Sequence, residues 1–279
     1  MYKNNNNKKY NQNKTKYEKY GERPRVMKSP VEEETSSNVV CGRNAVHELL
    51  KSGRSVDKLF VRRGDREGSI TMIVAEAIAQ KIPVVEVEKA KIDSLANGAN
   101  HQGVVAMAAA KEYVTVDEIL DIARERGEKP FIVIADEIAD PHNLGAIIRC
   151  AEGAGAHGLI IPKRRAAGLT AVVDKASAGA LEHLAIAKVP NLAAAIDELK
   201  EKGIWVYGAE ADGTPYYDTK FDSATAIVVG SEGDGISRLV REKCDFIISI
   251  PMHGNVNSFN VSCAAAVLLC EAARQMRGN

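Results

Sequence analysis

The chain has 279 residues, 45% of them hydrophobic, and carries 37 basic against 37 acidic side chains, so it can bury a sizeable core and has no net charge. It contains no run of about 18 apolar residues and no apolar secretory segment, which excludes a membrane-spanning or secreted protein and predicts a cytoplasmic one. We expect two domains from this length.

The positive charge is concentrated at the N-terminus. Residues 1–30 hold nine Lys and Arg against two acidic residues, so residues 31–279 carry the compensating negative charge. Residues 1–37 are also rich in Asn and Tyr and poor in aliphatic residues, which predicts a disordered basic tail. Two interpretations of this tail are open, a solvated extension and an electrostatic arm for a nucleic acid.

Residues 38–110 predict a small α/β domain. An amphipathic helix starts at residues 42–44, and a second helix is predicted at 70–80. Strands are predicted at 58–61, 82–87 and 103–110. The charged segment 111–129 has a helical pattern and is interpreted as a linker.

Residues 130–279 predict a parallel sheet with helices on both faces. Five short runs are nearly all apolar, as parallel strands covered on both faces are: 131–135, 159–161, 204–207, 226–229 and 247–250. Helices are predicted between and after them, at 144–154, 192–202 and 258–276. The last helix is apolar almost all round, so we expect the sheet on one side of it and a dimer partner on the other.

Cysteine and histidine spacing gives no sign of a metal site. The five cysteines form no C-x-x-C pair, and the six histidines form no H-x-x-x-H pair. We therefore predict buried free thiols and no metal.

The segment GAGAHG at residues 153–158 has the spacing of a dinucleotide-binding loop. Such a loop must follow a strand and begin a helix, whereas these glycines end a predicted helix and precede a strand. We interpret them as a helix C-cap with a tight turn, which disfavours a nicotinamide-dependent enzyme.

Three polar segments each follow a predicted strand, at the edge where open α/β sheets bind their ligands. The first is DPHNLGAIIR at 140–149, in which Asn143 is predicted to cap a helix and Arg149 lies among apolar residues. The second is VGSEGDGI at 229–236, whose glycines let a ligand approach the backbone. The third is IPMHGNVNSFNVS at 250–262, where Ser258 and Asn260 interrupt an apolar stretch.

Each segment also has a plain structural interpretation. An isolated arginine such as Arg149 is more often solvated or ion-paired than functional, and the glycines could form only a turn and a cap. The functional interpretation therefore rests on the order and spacing of all three segments together.

The three segments closely resemble the signature motifs of the SpoU/TrmH family, RNA 2′-O-methyltransferases of the SPOUT superfamily. GRNAV at 42–46 and HQGV at 101–104 are similar to the small substrate-binding domain of that family. SAGALEH at 177–183 resembles the branch that methylates guanosine in 23S ribosomal RNA. Phe259 is a departure, because the family usually has Leu between the Ser and the Asn of the third motif.

The resemblance implies a SPOUT-type catalytic domain at 130–279 with a trefoil knot, a homodimer formed through the knotted domain and the last helix, and S-adenosyl-L-methionine as the cofactor. It implies a polar active-site set made of Asn143, Arg149, Glu232, Ser258 and Asn260. It implies a cofactor-binding set made of Gly208, Val229, Gly230, Ile250, Met252 and Phe259. No metal is required, because the cofactor supplies the reactive group and the protein supplies alignment.

The implied reaction methylates the ribose 2′-hydroxyl of a guanosine in 23S ribosomal RNA, on free RNA or a pre-ribosomal particle. The family's arginine is often given the role of base, but arginine keeps its proton up to a pKa above about 12. We instead predict that a charged Arg149 stabilises the developing alkoxide and holds an RNA phosphate, with Glu232 orienting it or accepting the proton. The alternatives are a transfer-RNA enzyme, a resistance-type ribosomal enzyme and a non-catalytic RNA-binding homologue.

Overall fold

The computed structural model describes residues 39–64 and 68–278, so the predicted tail at residues 1–37 lies outside the described residues. Within these ranges the chain forms two sheets, one of four strands and one of six. No helix in these ranges is long and apolar enough to cross a membrane.

The first sheet belongs to the small N-terminal α/β unit. Its strand order is β1-β4-β2-β3, with β4 antiparallel to both of its neighbours and β2 parallel to β3. Two short elements of this unit, β1 and α3, were not predicted from the sequence. The elements are β1 (Val39–Cys41), α1 (Arg43–Ser52), β2 (Val56–Arg62), α2 (Ser69–Ala79), β3 (Val84–Val87), α3 (Lys89–Ala96) and β4 (Val104–Ala108).

The segment interpreted as a linker holds helix α4 (Val116–Glu125). Thr115 and Glu118 form a capping box at its start, in which each side chain accepts a hydrogen bond from the other's backbone N–H. Ile119 is fully buried and lies against Gly158 of the second sheet, where a Cβ would come within 2.6 Å of it. The segment therefore packs on the large sheet as well as connecting the two units.

The second sheet has six parallel strands in the order β10-β8-β9-β5-β6-β7, which confirms the predicted parallel architecture. Strand β7 was not predicted from the sequence. The elements are β5 (Phe131–Ala135), α5 (Pro141–Gly153), β6 (Gly158–Pro162), α6 (Ala171–Ser177), β7 (Ala185–Val189), α7 (Leu192–Glu201), β8 (Trp205–Pro215), β9 (Thr225–Val229), α8 (Arg238–Lys243), β10 (Phe246–Ser249) and α9 (Val261–Arg277).

Strand β5 shows why apolar residues continue without a break through this sheet. Phe131, Val133 and Ala135 pack into one apolar cluster with α5 and α9, whereas Ile132 and Ile134 pack into another with α4 and α7. Alternate side chains of a strand point to opposite faces, and both faces are covered by helices. Burying each of the two isoleucines contributes about 1.5–3 kcal/mol.

The two helices that flank the predicted site begin at different residues than the sequence suggested. Asp140, not Asn143, caps α5, because its Oδ1 accepts a hydrogen bond from His142 N at 3.0 Å. The prediction of a cap at Asn143 is wrong, since Asn143 lies inside the first turn and is 8% exposed. Helix α9 begins at Val261 instead of residue 258.

The glycines at residues 153–158 end a helix and lead into a strand, which confirms the C-cap interpretation. Gly153 is the last residue of α5, Gly155 has φ +74°, and Gly158 is the first residue of β6. A left-handed glycine directly after a helix ends it, so this segment does not begin a nucleotide-binding helix.

The five cysteines are free, but they are not all buried as predicted. Burial raises the pKa of the Cys41 thiol to about 11 and that of Cys244 to about 12, so both stay protonated at neutral pH. Cys263 and Cys270 are exposed on α9, which corrects the prediction for these two. The side of α9 that carries them is not covered by the described part of this chain.

A buried polar junction joins the two units. The Glu182 carboxylate, whose side chain is 0% exposed, accepts hydrogen bonds from Arg54 Nη1 at 2.7 Å and Ser52 Oγ at 3.2 Å. Lys111 Nζ donates to the Glu182 carbonyl oxygen at 3.1 Å. The short 3₁₀ turn Ala180–Glu182 of the large unit is thus held by residues that lie within and directly after the small unit.

Candidate active site

A cavity of about 550 Å³ opens at the carboxyl ends of β9 and β10 and beside the middle of β8, which is the size and position expected of a ligand site in an open α/β sheet. Its walls come from residues 209–211 in the middle of β8, the loop after β9, the segment before α9 and the first turns of α9. Eight residues of the two predicted sets line it: Val229, Gly230, Glu232, Ile250, Met252, Ser258, Phe259 and Asn260.

Three predicted site residues do not line the cavity. Gly208 lies within β8, and the cavity wall starts one residue later, at Ala209. A Cβ on Gly208 would come within 2.9 Å of Cys244 Sγ, so this glycine permits close packing beneath the cavity. Asn143 and Arg149 lie on α5, outside the wall.

Asn260 links the three polar segments that follow the strands. Its Oδ1 caps α9 by accepting from Ser262 N at 3.0 Å and Cys263 N at 3.4 Å. Its amide nitrogen donates to Asn143 Oδ1 at 3.0 Å and to the Glu232 carboxylate. One side chain therefore joins segments that are 117 and 28 residues away from it along the chain.

The glycine loop at residues 230–235 is closed on itself. Ser231 and Gly235 exchange two backbone hydrogen bonds, of 3.0 and 3.1 Å. A Cβ on Gly230 would come within 2.1 Å of the Gly235 carbonyl carbon, so only glycine fits there. Gly233 has φ +98°, and a Cβ added there would have no atom within 4 Å, so the backbone faces open space at this residue.

Two carboxylates that were not predicted from the sequence fix the end of this loop. Glu210, in the middle of β8, accepts a hydrogen bond from Ile236 N at 2.6 Å and lines the cavity. Asp136, directly after β5 and 2% exposed, accepts from Ser237 N at 2.7 Å. Both residues follow apolar strand residues, and this is the signal that could have found them.

The electrostatics of the cavity favour a cationic ligand. Glu210, Glu232 and Asp234 line the cavity, and no Lys, Arg or His of the described residues does so. Ile248 and Leu268 add apolar surface. A nicotinamide dinucleotide carries two phosphates, so three carboxylates would repel it, whereas an apolar ligand with a positive centre would be attracted.

Arg149 is exposed on α5, six residues and thus about 9 Å along the helix axis from Asn143. Its neighbour Cys150 has Sγ 4.0 Å from the Ser262 carbonyl oxygen, which places this part of α5 against the first turn of α9. No hydrogen bond or ion pair joins Arg149 to another described residue. Its guanidinium is thus available to a ligand outside the cavity.

Comparison with known sequences assigns the chain to a family. The SpoU rRNA Methylase family matches residues 130–270, and the substrate-binding domain of RNA 2′-O ribose methyltransferases matches residues 39–114. The chain belongs to the SpoU methylase family. This SpoU methylase is an RNA 2′-O-methyltransferase, and the predicted resemblance is confirmed.

Curated relatives of this SpoU methylase cover nearly its whole described length. It is 47% identical over 237 residues to the TrmH family tRNA/rRNA methyltransferase YacO of Bacillus subtilis (strain 168), covering 85% of this chain and 95% of YacO. It is 48% identical over 238 residues to a TrmH family tRNA/rRNA methyltransferase of Staphylococcus haemolyticus (strain JCSC1435), with coverage of 85% and 95%.

Solved structures share the fold of this SpoU methylase. The SpoU methyltransferase AviRb from Streptomyces viridochromogenes, in complex with the cofactor AdoMet, is 25% identical and aligns with a TM-score of 0.73 over 90% of this chain and 95% of its own. An AdoMet-bound rRNA methyltransferase from Sinorhizobium meliloti is 25% identical, with a TM-score of 0.71 over 87% and 88%. The SPOUT-type fold predicted from the sequence is thus confirmed at the level of the sheet and its helices.

Proposed function

We propose that this SpoU methylase transfers the methyl group of S-adenosyl-L-methionine to the ribose 2′-hydroxyl of a guanosine in 23S ribosomal RNA, in the cytoplasm. The single observation that carries the proposal is the hydrogen bonding of Asn260 to both Asn143 and Glu232, because it joins the three motif segments at one cavity. The substrate-binding unit at residues 39–114 supports an RNA substrate, and residues 177–183 support the ribosomal branch.

S-adenosyl-L-methionine is the methyl donor of relatives with this fold, and the residues present here fit it. Ile250, Met252 and Phe259 offer apolar surface for the adenosine part. The carboxylates of Glu210 and Glu232 complement the positive charge of the sulfonium and amino groups. When bound, the cofactor supplies an activated methyl group, so no residue of the chain has to act as a covalent nucleophile.

The protein's own contribution is to place the 2′-hydroxyl and to stabilise the charge that develops on its oxygen. The Arg149 guanidinium forms no hydrogen bond or ion pair with another described residue, so it is free to stabilise the alkoxide and to hold a phosphate. Glu232 accepts a hydrogen bond from Asn260 and forms no ion pair with Arg149 in the described chain. Glu232 therefore accepts the proton of the hydroxyl or orients an arginine of a second copy. Ser258 lies exposed at the cavity wall.

A homodimer through α9 completes the proposal. Cys263, Val267 and Cys270 are exposed along one side of this helix, at the spacing of one helix face. This side lies near Arg149, since Cys150, the next residue, has its Sγ 4.0 Å from the carbonyl oxygen of Ser262, which precedes Cys263 on α9. Pairing of two copies here would bring Arg149 of one protomer toward the cavity of its partner. We also propose that residues 38–110 form the substrate-binding domain, that residues 111–129 form the linker, and that residues 130–279 form a catalytic domain with a trefoil knot.

Arg149→Ala tests the proposed role of the guanidinium. We expect methylation of ribosomal RNA to fall at least 100-fold, because the alkoxide loses its cationic partner, whereas the dissociation constant for S-adenosyl-L-methionine changes less than about twofold. Methyl transfer and equilibrium dialysis measure the two quantities. Arg124→Ala, on the exposed side of α4, is the matched control. Loss of cofactor binding together with activity would mean that Arg149 is only structural.

The substrate is tested by incubating the protein with S-adenosyl-L-methionine labelled in its methyl group and with ribosomal or transfer RNA. We expect the label on ribosomal RNA, and on the ribose of a guanosine after digestion to nucleosides. Label on transfer RNA alone would favour the second candidate, a transfer-RNA enzyme of the same family, which the tRNA/rRNA description of the relatives allows. Label on neither RNA would favour a non-catalytic RNA-binding homologue.

A further inference from the structure

We infer that the basic turn at residues 163–165 binds two phosphates of the substrate RNA beside the target nucleotide, an inference that rests on the proposed function. The turn consists of Lys163, Arg164 and Arg165 and directly follows β6. No sequence motif pointed to it. The inference rests on the place of the turn in the fold, on its backbone conformation and on the unpaired side chains of Lys163 and Arg164.

The basic turn lies at the same edge of the large sheet as the cavity. In a parallel sheet all carboxyl ends meet at one edge, and β6 is separated from β9 by β5 alone. Because neighbouring strands lie about 4.8 Å apart, the end of β6 is roughly 10 Å from the start of the glycine loop. A single nucleotide strand crossing this edge would pass both.

The backbone of the basic turn is fixed to its surroundings. The Lys163 backbone N donates to the Val189 carbonyl oxygen at 2.7 Å. The Arg165 side chain donates through Nη1 to Glu137 Oε1 at 3.0 Å, which is a contact between exposed side chains. Arg165 and Glu137 have φ of +58° and +55°, a left-handed conformation that is uncommon for residues with a side chain. Such strained positions cluster at binding sites, where the surrounding structure holds them in place.

The side chains of Lys163 and Arg164 are exposed and form no hydrogen bond or ion pair with any residue in the described ranges. The nearby cavity, by contrast, is lined by the carboxylates of Glu210, Glu232 and Asp234. An RNA backbone would be repelled by these carboxylates, so it needs cationic side chains beside the cavity. The basic turn supplies them, with Arg164 suited to bidentate phosphate binding and Lys163 acting as a point charge.

The chain also leads directly from the basic turn to the contacts with the substrate-binding unit. The chain that follows it enters α6, which packs against β1 of the small sheet, and then the 3₁₀ turn at Glu182, which binds Arg54. The basic turn is thus joined by one short stretch of chain to the surface on which the small unit packs, so RNA held by the small unit and entering the cavity is expected to pass close to it.

The test compares the full-length chain with Lys163→Gln/Arg164→Gln, using bulk 23S ribosomal RNA as the probe. We expect the log–log slope of RNA affinity against salt concentration to flatten by about 1.4, because each phosphate of single-stranded RNA that the protein no longer neutralises removes about 0.7 from the slope. Affinity should fall at least tenfold at low salt, with cofactor affinity unchanged. Arg124→Gln/Arg126→Gln, at the end of α4 and thus at the amino edge, removes the same charge and should leave the slope unchanged.

Cofactor binding and a thermal melt verify that each variant is folded, and Lys163→Arg/Arg164→Lys should retain the wild-type slope because it keeps both charges. A slope unchanged in the glutamine variant, or flattened equally in the control, overturns the inference. The proposed function fails independently, by absence of ribose methylation in the wild-type protein, because binding is measured without turnover.

Discussion

Asn260 holds the candidate site together through both ends of its amide. The oxygen caps α9, and the nitrogen reaches Asn143 and Glu232. A substitution can separate capping by the oxygen from donation by the nitrogen, because an aspartate at residue 260 keeps an oxygen acceptor and lacks the N–H donor.

For Asn260→Asp we predict loss of cofactor affinity without loss of helix stability. The carboxylate still accepts from the N–H groups of Ser262 and Cys263, but it places a negative charge beside Glu232 and cannot donate to it. The dissociation constant for S-adenosyl-L-methionine should rise at least tenfold, as measured by calorimetry. Asn260→Ala should lower affinity similarly and also lose about 1 kcal/mol of unfolding free energy. Unchanged affinity in both variants would contradict the linking role.

Asp174 is the most unusual buried side chain of the large unit. It is 4% exposed, and its Oδ1 has no hydrogen-bond partner among the described residues. Burial, followed by the nearby Glu182, raises its pKa from 3.8 to about 7, while Arg54 and Lys111 act in the opposite direction. Because the folded pKa lies above the unfolded one, this group's contribution to stability is fully present below about pH 4 and is lost as the pH rises through about 7.

Asp174→Asn should therefore stabilise the protein more at pH 8 than at pH 5. The amide imitates the protonated acid at every pH, so it avoids the cost of a buried charge that the wild-type protein carries above its pKa. Melting temperatures of both proteins at the two pH values measure the difference. An equal gain at both pH values would mean that the pKa of Asp174 is not raised.

At the scale of elements, α9 is the helix whose surroundings are least complete. Ala265, Leu268 and Leu269 are buried against the sheet side, but Val267 is 37% exposed between two exposed cysteines. An apolar stripe of this kind on a helix that is otherwise part of the core is typical of a subunit interface. The proposed dimer accounts for it.

We predict that Val267→Glu dissociates the dimer, because a carboxylate would be buried at the interface without a partner. The apparent mass from sedimentation should fall toward that of one chain at concentrations where the wild type is dimeric. Val172 on α6 is also 37% exposed, and Val172→Glu should leave the mass unchanged. A wild type that is already monomeric, or a dimer that survives Val267→Glu, would contradict the proposed interface.

At the scale of the whole molecule, the junction around Glu182 couples the small unit to the large one. The Arg54–Glu182 ion pair is nearly inaccessible to solvent, with side chains 11% and 0% exposed. The pair between Arg63 and Glu88 has a similar N–O distance, 2.6 Å, but its side chains are 65% and 69% exposed. The two pairs therefore differ mainly in burial.

Arg54→Met should lower the free energy of unfolding by about 3 kcal/mol or more, because it leaves the buried Glu182 carboxylate without its cation. Arg63→Met should cost less than about 1 kcal/mol, since its partner remains in water. Urea unfolding of both variants measures the difference. Equal costs would show that the junction contributes no more than a surface ion pair.

Local patterns of apolar and polar residues were enough to predict most of the elements and the order of the motifs. Apolar runs such as residues 131–135 predicted buried parallel strands, because alternate side chains of such a run must be covered on both faces. The three polar segments lie at strand ends in the chain, so their shared edge followed from the parallel arrangement. Eight of the eleven predicted site residues accordingly line one cavity.

Features that depend on contacts between distant segments could not be predicted from local patterns. Strand β8 continues to Pro215 through polar residues because its far end pairs with β10 after a register shift, which no local pattern predicts. The roles of Glu210 and Asp136 and the reach of Asn260 to Asn143 depend on the same long-range register. Periodicity and capping act over a few residues, whereas a binding site is assembled from side chains that only the packing of the whole sheet brings together.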